Sequence, residues 1–202
     1  MIPFSFYRRA LNALGRRCFA LFFSHTFKRF GKNVAIISPD IIEGERFISL
    51  GDNVSINTRA WLLALYQSDT LPQLDIGAGT TIGRFTHIVA LREVIIGNNV
   101  LIADKVYISD NLHGYEDTTT PIKDQPILFK ARVEIGDNSW IGENVSIIGA
   151  SIGKHCVIGA NSVVTRDIPD YSIAVGSPAQ VIKRYNSLTQ QWTTIDQEST
   201  HE

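Results

Sequence analysis

The chain has 202 residues, about 22.5 kDa, with 44% hydrophobic residues, 19% charged residues and a formal net charge of −1. A length near 200 residues fits one domain with small appendages, and this composition buries a sizeable core, which excludes a disordered or collagen-like chain. The charge is unevenly divided: residues 1–39 hold Arg8, Arg9, Arg16, Arg17, Lys28, Arg29 and Lys32 and no acid, leaving 12 basic and 20 acidic residues in an acidic body that does not suit nucleic acid.

The first predicted element is a helix over residues 6–23. Tyr7, Ala10, Leu11, Leu14, Cys18, Leu21 and Phe22 recur at helical spacing on one face, and Arg8, Arg9, Arg16 and Arg17 fall on the other. Two jobs fit such a basic amphipathic helix: lying on an anionic membrane surface, or covering an open sheet edge. Cys18 to Phe23 is an apolar run of six residues, far below the roughly 18–20 of a bilayer span. Basic residues flank it and no small-residue cleavage site follows, so no secretory signal is expected. Two cysteines, Cys18 and Cys156, make neither a disulfide framework nor a zinc spacing, so the cytoplasm is the expected compartment.

Beyond the arm the chain repeats with a period of six. The aliphatic leads fall in five blocks of three: Leu50, Ile56, Leu62; Ile76, Ile82, Ile88; Ile96, Ile102, Ile108; Ile135, Ile141, Ile147; Ile152, Ile158, Val164. Gly follows eight of the fifteen leads, and the residue four after a lead is mostly small or β-branched. Six residues make a short strand and a turn, and three such units close a triangular coil whose leads stack inward on those of the next. Gly then supplies a tight corner, through positive φ or close backbone approach. Strands of an ordinary sandwich would alternate with period two and turn every 8–12 residues. Two loops leave the coil, one near Gln67 to Gln73 and a longer polar, acidic one from Asn111 to Lys130, whose length is itself a functional pointer.

Several stretches narrow the reading further: Val100-Leu101-Ile102-Ala103, Val106-Tyr107-Ile108-Ser109-Asp110, Leu112-His113-Gly114, Trp140-Ile141-Gly142-Glu143-Asn144-Val145, Ile158-Gly159-Ala160-Asn161-Ser162-Val163-Val164 and Gly176-Ser177-Pro178-Ala179. This ordered set resembles the hexapeptide-repeat acyltransferases, in particular the branch that O-acetylates sugars of lipopolysaccharide O-antigens and other surface polysaccharides. The galactoside and maltose acetyltransferases are more distant relatives. The resemblance implies an all-β fold, a left-handed parallel β-helix, assembled as a homotrimer with sites between subunits. The expected organisation is a basic arm (1–34), the β-helix acyltransferase domain (35–184) with its projecting loop 111–130, and a short tail (185–202). Helix is expected in the arm, with the tail from Pro178 onward the one other place for it.

The chemistry implied is acetyl transfer from acetyl-CoA to a sugar hydroxyl, without a metal. It needs a base for the hydroxyl proton and donors for the tetrahedral oxyanion. Histidine suits the base, and the chain has five. His25 lies in the arm, His201 in the tail, and His155 on the outer surface of its hexad, leaving His113 and His87. The family carries its catalytic histidine where the third block meets the long loop, which is the position of His113. Close relatives often place a second histidine two residues earlier, where Asn111 stands, so Asn111 is a candidate polar neighbour or oxyanion donor. Asp110 would orient the imidazole, bind a sugar hydroxyl or cap the corner. His87, facing outward just before lead Ile88, is a candidate sugar contact.

For acetyl-CoA the resemblance implies Trp140 beside the thioester. Gly142, Gly159 and Ala160 would keep a groove open for the pantetheine arm, and Thr165, Arg166, Lys183 and Arg184 would meet the phosphates. No Gly-x-Gly-x-x-Gly or P-loop supports another nucleotide mode. A saccharide acceptor carried on a membrane lipid would give the basic arm its purpose. The alternatives are a small-molecule acceptor (an amino sugar, an antibiotic or serine), a γ-type carbonic anhydrase, and a non-enzymatic scaffold. The carbonic anhydrase would want a zinc-binding histidine five residues after His113, where Thr118 stands.

Overall fold

The computed structural model describes residues 3–67 and 70–195. Among them the strands form three faces of a triangular coil, the left-handed parallel β-helix of the expectation. The first face runs through Arg29–Phe30, Ile48–Leu50, Gln73–Ile76, Glu93–Ile96 and Val133–Ile135. The second runs through Ala35–Ile36, Ser55–Ile56, Thr81–Ile82, Leu101–Ile102, Trp140–Ile141, Val157–Ile158 and Ser172–Gly176, and the third through Ile41–Glu43, Trp61–Ala64, His87–Ala90, Tyr107–Ser109, Ser146–Ile148 and Val163–Val164. Successive coil strands pair in parallel, lead on lead, as in Ile56 with Ile82 and Ile102 with Ile141. Every one of the fifteen leads is at most 2% exposed. The core is thus a column of aliphatic side chains, extended by Val54, Ala60, Thr80, Thr86, Val100, Val106, Ser139, Val145, Cys156 and Ser162 at the inward corners.

The corners divide the work that the sequence reading gave to glycine alone. Positive φ falls on Asn53, Asn99 and Asn138, with Gly79 and His155, between the first and second faces, and on Asn144 and Asn161, with Arg59, Phe85 and Lys105, between the second and third. Asparagine tolerates the left-handed region better than other side-chain-bearing residues. The glycine after each lead has ordinary φ and serves close approach: a Cβ on Gly77 would lie 2.5 Å from the carbonyl carbon of Gly97 on the next rung.

The coil reaches further in both directions than the five blocks. Phe30, Ile36 and Ile42 make an earlier rung at the same spacing, and Arg29–Phe30 already pairs with Ser49–Leu50. At the other end Ile168 and Ala174 continue the column. The possibility of helix after Pro178 is corrected: Ala179–Asn186 and Gln191–Thr194 are antiparallel strands added to the second face. Val181, Ile182, Tyr185, Trp192 and Thr193 favour extended backbone, and the added strands cover the edge that the last coil would otherwise leave unpaired.

The helix, α1 (Phe4–Phe23), starts two residues before the expected boundary. Its Phe19 packs on the core and against Phe27, across the open end of the coil. The apolar stripe of Tyr7, Leu11, Leu14, Leu21 and Phe22 points elsewhere. Leu14 is 62% exposed and Leu21 is 75% exposed.

Candidate active site

The long loop leaves the corner between the third and first faces as a β-hairpin. Asn111–His113 pairs antiparallel with Ile127–Phe129, matching Asn111 to Phe129 and His113 to Ile127. Directly paired residues share a face of the hairpin, so the side chains of Asn111, His113, Ile127 and Phe129 lie on one side. The tip is ordered from within: the Asp117 carboxyl is held down to about 2 by the Thr119 hydroxyl, and Gln125 Nε2 donates to the carbonyls of Asp117 and Thr120. Gln67 Nε2, from the first loop, reaches the Ile127 carbonyl at 3.5 Å.

His113 is exposed on this hairpin, as a base that must meet a substrate requires. Two residues nearer the coil, at the Asn111–Phe129 pair, Arg92 sets its guanidinium over the Phe129 ring, 4.7 Å from the centroid. Neither Arg92 nor Phe129 was among the residues read as functional. The signal that would have found Arg92 is its position at a block end, where the side chain four after the lead leaves the core.

Asp110 and Asn111 are buried within the chain, and Asp110 takes the corner-capping place among its expected roles. Asp110 is fully buried, and its carboxylate accepts the main-chain N–H groups of Leu91 (2.8 Å), Arg92 (2.7 Å) and Glu93 (2.8 Å). Asn111 is buried too. Its Nδ2 donates to Asp110 Oδ1 at 2.8 Å, and its main chain exchanges two hydrogen bonds with the Ser109 hydroxyl. A buried carboxylate with three main-chain donors and one side-chain amide donor is a corner cap, and its oxygens are spent on the chain that carries them.

His87 stands in an outward ladder on the third face, stacked on Trp61 (centroids 4.0 Å apart, 1° between planes) and edge-on to Tyr107 at 5.3 Å. Burial lowers its pKa below the ordinary histidine value. Among the described residues, His87 Nε2 and Trp61 Nε1 are buried without a hydrogen-bond partner. The sequence reading missed Trp61, whose position before lead Leu62 matches that of His87 before Ile88.

The residues assigned to acetyl-CoA separate into three groups. Trp140, 50% exposed, sits on the outer side of the second face in a ladder with Leu101, Val157, Ile173 and Lys183. Three strand steps of about 4.8 Å put Lys183 about 14 Å from Trp140 along that ladder. Gly142 and Gly159 sit where successive rungs approach closely. Their N–H groups bond the carbonyls of Ile158 and Ala174, and a Cβ on Gly142 would meet the backbone of Ala160 at 2.7 Å. Ala160 is exposed at the corner. Thr165 and Arg166 lie exposed beyond Val164, at the corner between the third and first faces and across the triangle from Lys183. Lys183 and Arg184 pair with Ile173 and buried Ser172, so they point to opposite sides of the sheet and do not act as one cluster.

Within one chain His113 and the ladder through Trp140 do not meet. His113 projects from the corner that lies opposite the second face, and Trp140 is on that face. The grooves lined by Gly97, Asp137 and Asp170, and by α1 with Ile36 to Pro39, contain neither residue. Among the described residues no three His, Cys, Asp or Glu side chains cluster as a metal site, and His201 lies outside those residues.

The family model of the hexapeptide repeat of succinyl-transferase matches residues 132–166. The chain is 33% identical over 171 residues to the putative lipopolysaccharide biosynthesis O-acetyl transferase WbbJ of Escherichia coli, covering 81% of this chain and 85% of that protein. It is 40% identical over 157 residues to the probable acetyltransferase Rv3034c of Mycobacterium tuberculosis, covering 76% of this chain and 48% of that relative, so the match spans about half the relative's length. A solved maltose O-acetyltransferase from Clostridium difficile 630 superposes with a TM-score of 0.56 at 27% identity, covering 90% of this chain and 86% of that one. AntD, an N-acyltransferase from Bacillus cereus solved with dTDP and 3-hydroxybutyryl-CoA, shares the fold with a TM-score of 0.65 at 21% identity, covering 90% of each chain.

Proposed function

The chain belongs to the hexapeptide-repeat acetyltransferases, and from that premise we propose that it transfers the acetyl group of acetyl-CoA to a hydroxyl of a surface saccharide or its lipid-linked precursor. His113 accepts the hydroxyl proton while the oxygen attacks the thioester carbonyl. The tetrahedral intermediate collapses, the C–S bond breaks, and the imidazolium returns its proton to the departing CoA sulfur. The observation that carries this reading is the exposed imidazole at the root of a projecting hairpin, beside a cation and on the corner opposite Trp140.

That opposition favours a homotrimer. The hairpin of one copy reaches the second face of the next, where Trp140 lies beside the thioester, the pantetheine arm follows Val157 and Ile173, and Lys183 meets a phosphate. The O-acetyl transferase relative favours an oxygen acceptor. Transfer to an amino sugar or another small molecule is the second reading, favoured by the fold shared with an N-acyltransferase.

The arm fits a lipid-linked acceptor. No helix among the described residues is long and apolar enough to cross a membrane, but α1 keeps its apolar stripe outward between Arg8 and Arg17. It rests on an anionic bilayer at the cytoplasmic side, where acetyl-CoA is available.

The test is free-thiol release from acetyl-CoA with a panel of sugars and lipid-linked oligosaccharides. His113→Ala lowers turnover at least about a hundredfold while CoA binding persists. Co-refolding His113→Ala with Trp140→Ala restores activity, because mixed trimers contain some sites with both residues intact. Near-normal turnover of His113→Ala removes the proposed base. No recovery on mixing, with both variants folded and assembled, removes the shared site.

A further inference from the structure

We infer that Arg92 is the acceptor's anion-binding residue, so that the preferred acceptor carries an oxyanion, phosphate or carboxylate, close to the hydroxyl that is acetylated. The inference rests on the reading of His113 as the base. Arg92 is placed beside it by two independent contacts. Its main-chain N–H is bound by Asp110, three residues before His113, and its guanidinium lies over Phe129 on the hairpin face that also carries His113. Residues two apart on a strand are about 7 Å apart, so the Asn111–Phe129 pair under Arg92 is the immediate neighbour of the His113–Ile127 pair.

The charge of Arg92 is uncompensated within the described residues. The adjacent carboxylate, Glu93, is 3.0 Å from Arg132, which also pairs with Glu134 at 2.8 Å. Arg92 itself is in no ion pair among the described residues and is exposed. A guanidinium over an aromatic ring keeps N–H donors free for other partners, and its fork matches the oxygens of a phosphate or carboxylate. Coenzyme A does not satisfy it. Its phosphates lie a full pantetheine arm away from the thioester, and the thioester is the part that must reach His113. The anion beside the base therefore belongs to the acceptor.

The experiment measures acetyl transfer to glucose, glucose 1-phosphate and glucuronic acid by the full-length protein, together with the shift of the His113 ring resonance on titration with each sugar. The wild type favours at least one anionic sugar over glucose by about tenfold or more in kcat/KM. Arg92→Gln brings that ratio close to one, and Arg92→Lys keeps part of it. Phosphate and carboxylate are told apart by which sugar carries the preference. A wild-type ratio near one, or a ratio unchanged in Arg92→Gln, overturns the inference and leaves the base assignment standing. If no sugar is acetylated and none moves the His113 resonance, both are overturned. If transfer fails but glucose 1-phosphate or glucuronate shifts the resonance in wild type and not in Arg92→Gln, the anion site stands and the assigned chemistry falls.

Discussion

Asp110 binds Arg92 through the main chain: its carboxylate accepts the Arg92 N–H at 2.7 Å, across 18 residues of sequence. With Leu91 and Glu93 on the same carboxylate, one side chain closes the corner from which the hairpin departs. It fixes the residue beside the proposed base relative to the strand that leads to it.

Replacing that side chain tests the clamp. Asp110→Ala leaves three main-chain donors without their acceptor, at about 1–3 kcal/mol for each that stays buried. With partial relief by water, the expected loss of stability is about 3 kcal/mol, read by urea unfolding at equal protomer concentration. Asp110→Asn, which retains one acceptor oxygen, falls between. Transfer activity drops in both because the hairpin root loosens, whereas CoA affinity at the second face holds. A loss below about 0.5 kcal/mol would mean that the corner closes without the carboxylate.

His87 makes stability depend on pH. Burial lowers its folded pKa below the ordinary histidine value of 6.5, so the unfolded chain binds a proton at a pH where the folded chain does not. Its contribution is full above pH 6.5 and is lost as pH falls through the lowered folded value. Unfolding titrations between pH 7.5 and 5 should show the wild type weakening toward acid more steeply than His87→Phe. Parallel curves would place the proton elsewhere.

Adjacent Lys183 and Arg184 should behave differently. Lys183 shares the outer ladder of the second face with Trp140, and Arg184 points to the other side. Lys183→Ala weakens CoA about tenfold, a difference of about 1.4 kcal/mol, with a smaller effect on dephospho-CoA. Arg184→Ala changes affinity by no more than about twofold. Calorimetric titration of both variants with both ligands decides the matter, and equal losses would contradict the ladder.

The arm is tested without removing it. Leu14→Glu with Leu21→Glu replaces two outward side chains and spares Phe19, which holds α1 to the coil. Wild type should co-sediment with vesicles containing phosphatidylglycerol and not with phosphatidylcholine alone. The double variant should remain in the supernatant with its unfolding midpoint unchanged. Sedimentation of the variant equal to wild type would assign the stripe to another surface, such as a neighbouring copy.

The sequence by itself determined the coil, its repeat and the position of the projecting loop. Each rung contacts only its neighbours, so its requirements are written locally: an inward aliphatic every sixth residue, glycine where rungs touch, asparagine at several of the corners where φ turns positive. Even the rung it hid was written there, in Phe30-Gly31, Ile36 and Ile42, obscured by an aromatic lead inside a basic stretch. The tertiary structure decided which polar residues are free to react. Asp110 and His113 look alike as candidates, three residues apart, but stacking of the rungs buries the first under three main-chain donors and the hairpin carries the second into the open. The same holds for Lys183 and Arg184, divided by the alternation of a strand that was not foreseen, and for Arg92, whose neighbour Phe129 is 37 residues distant in sequence. Burial and side-chain direction arise from contacts between distant segments, and no local pattern records them.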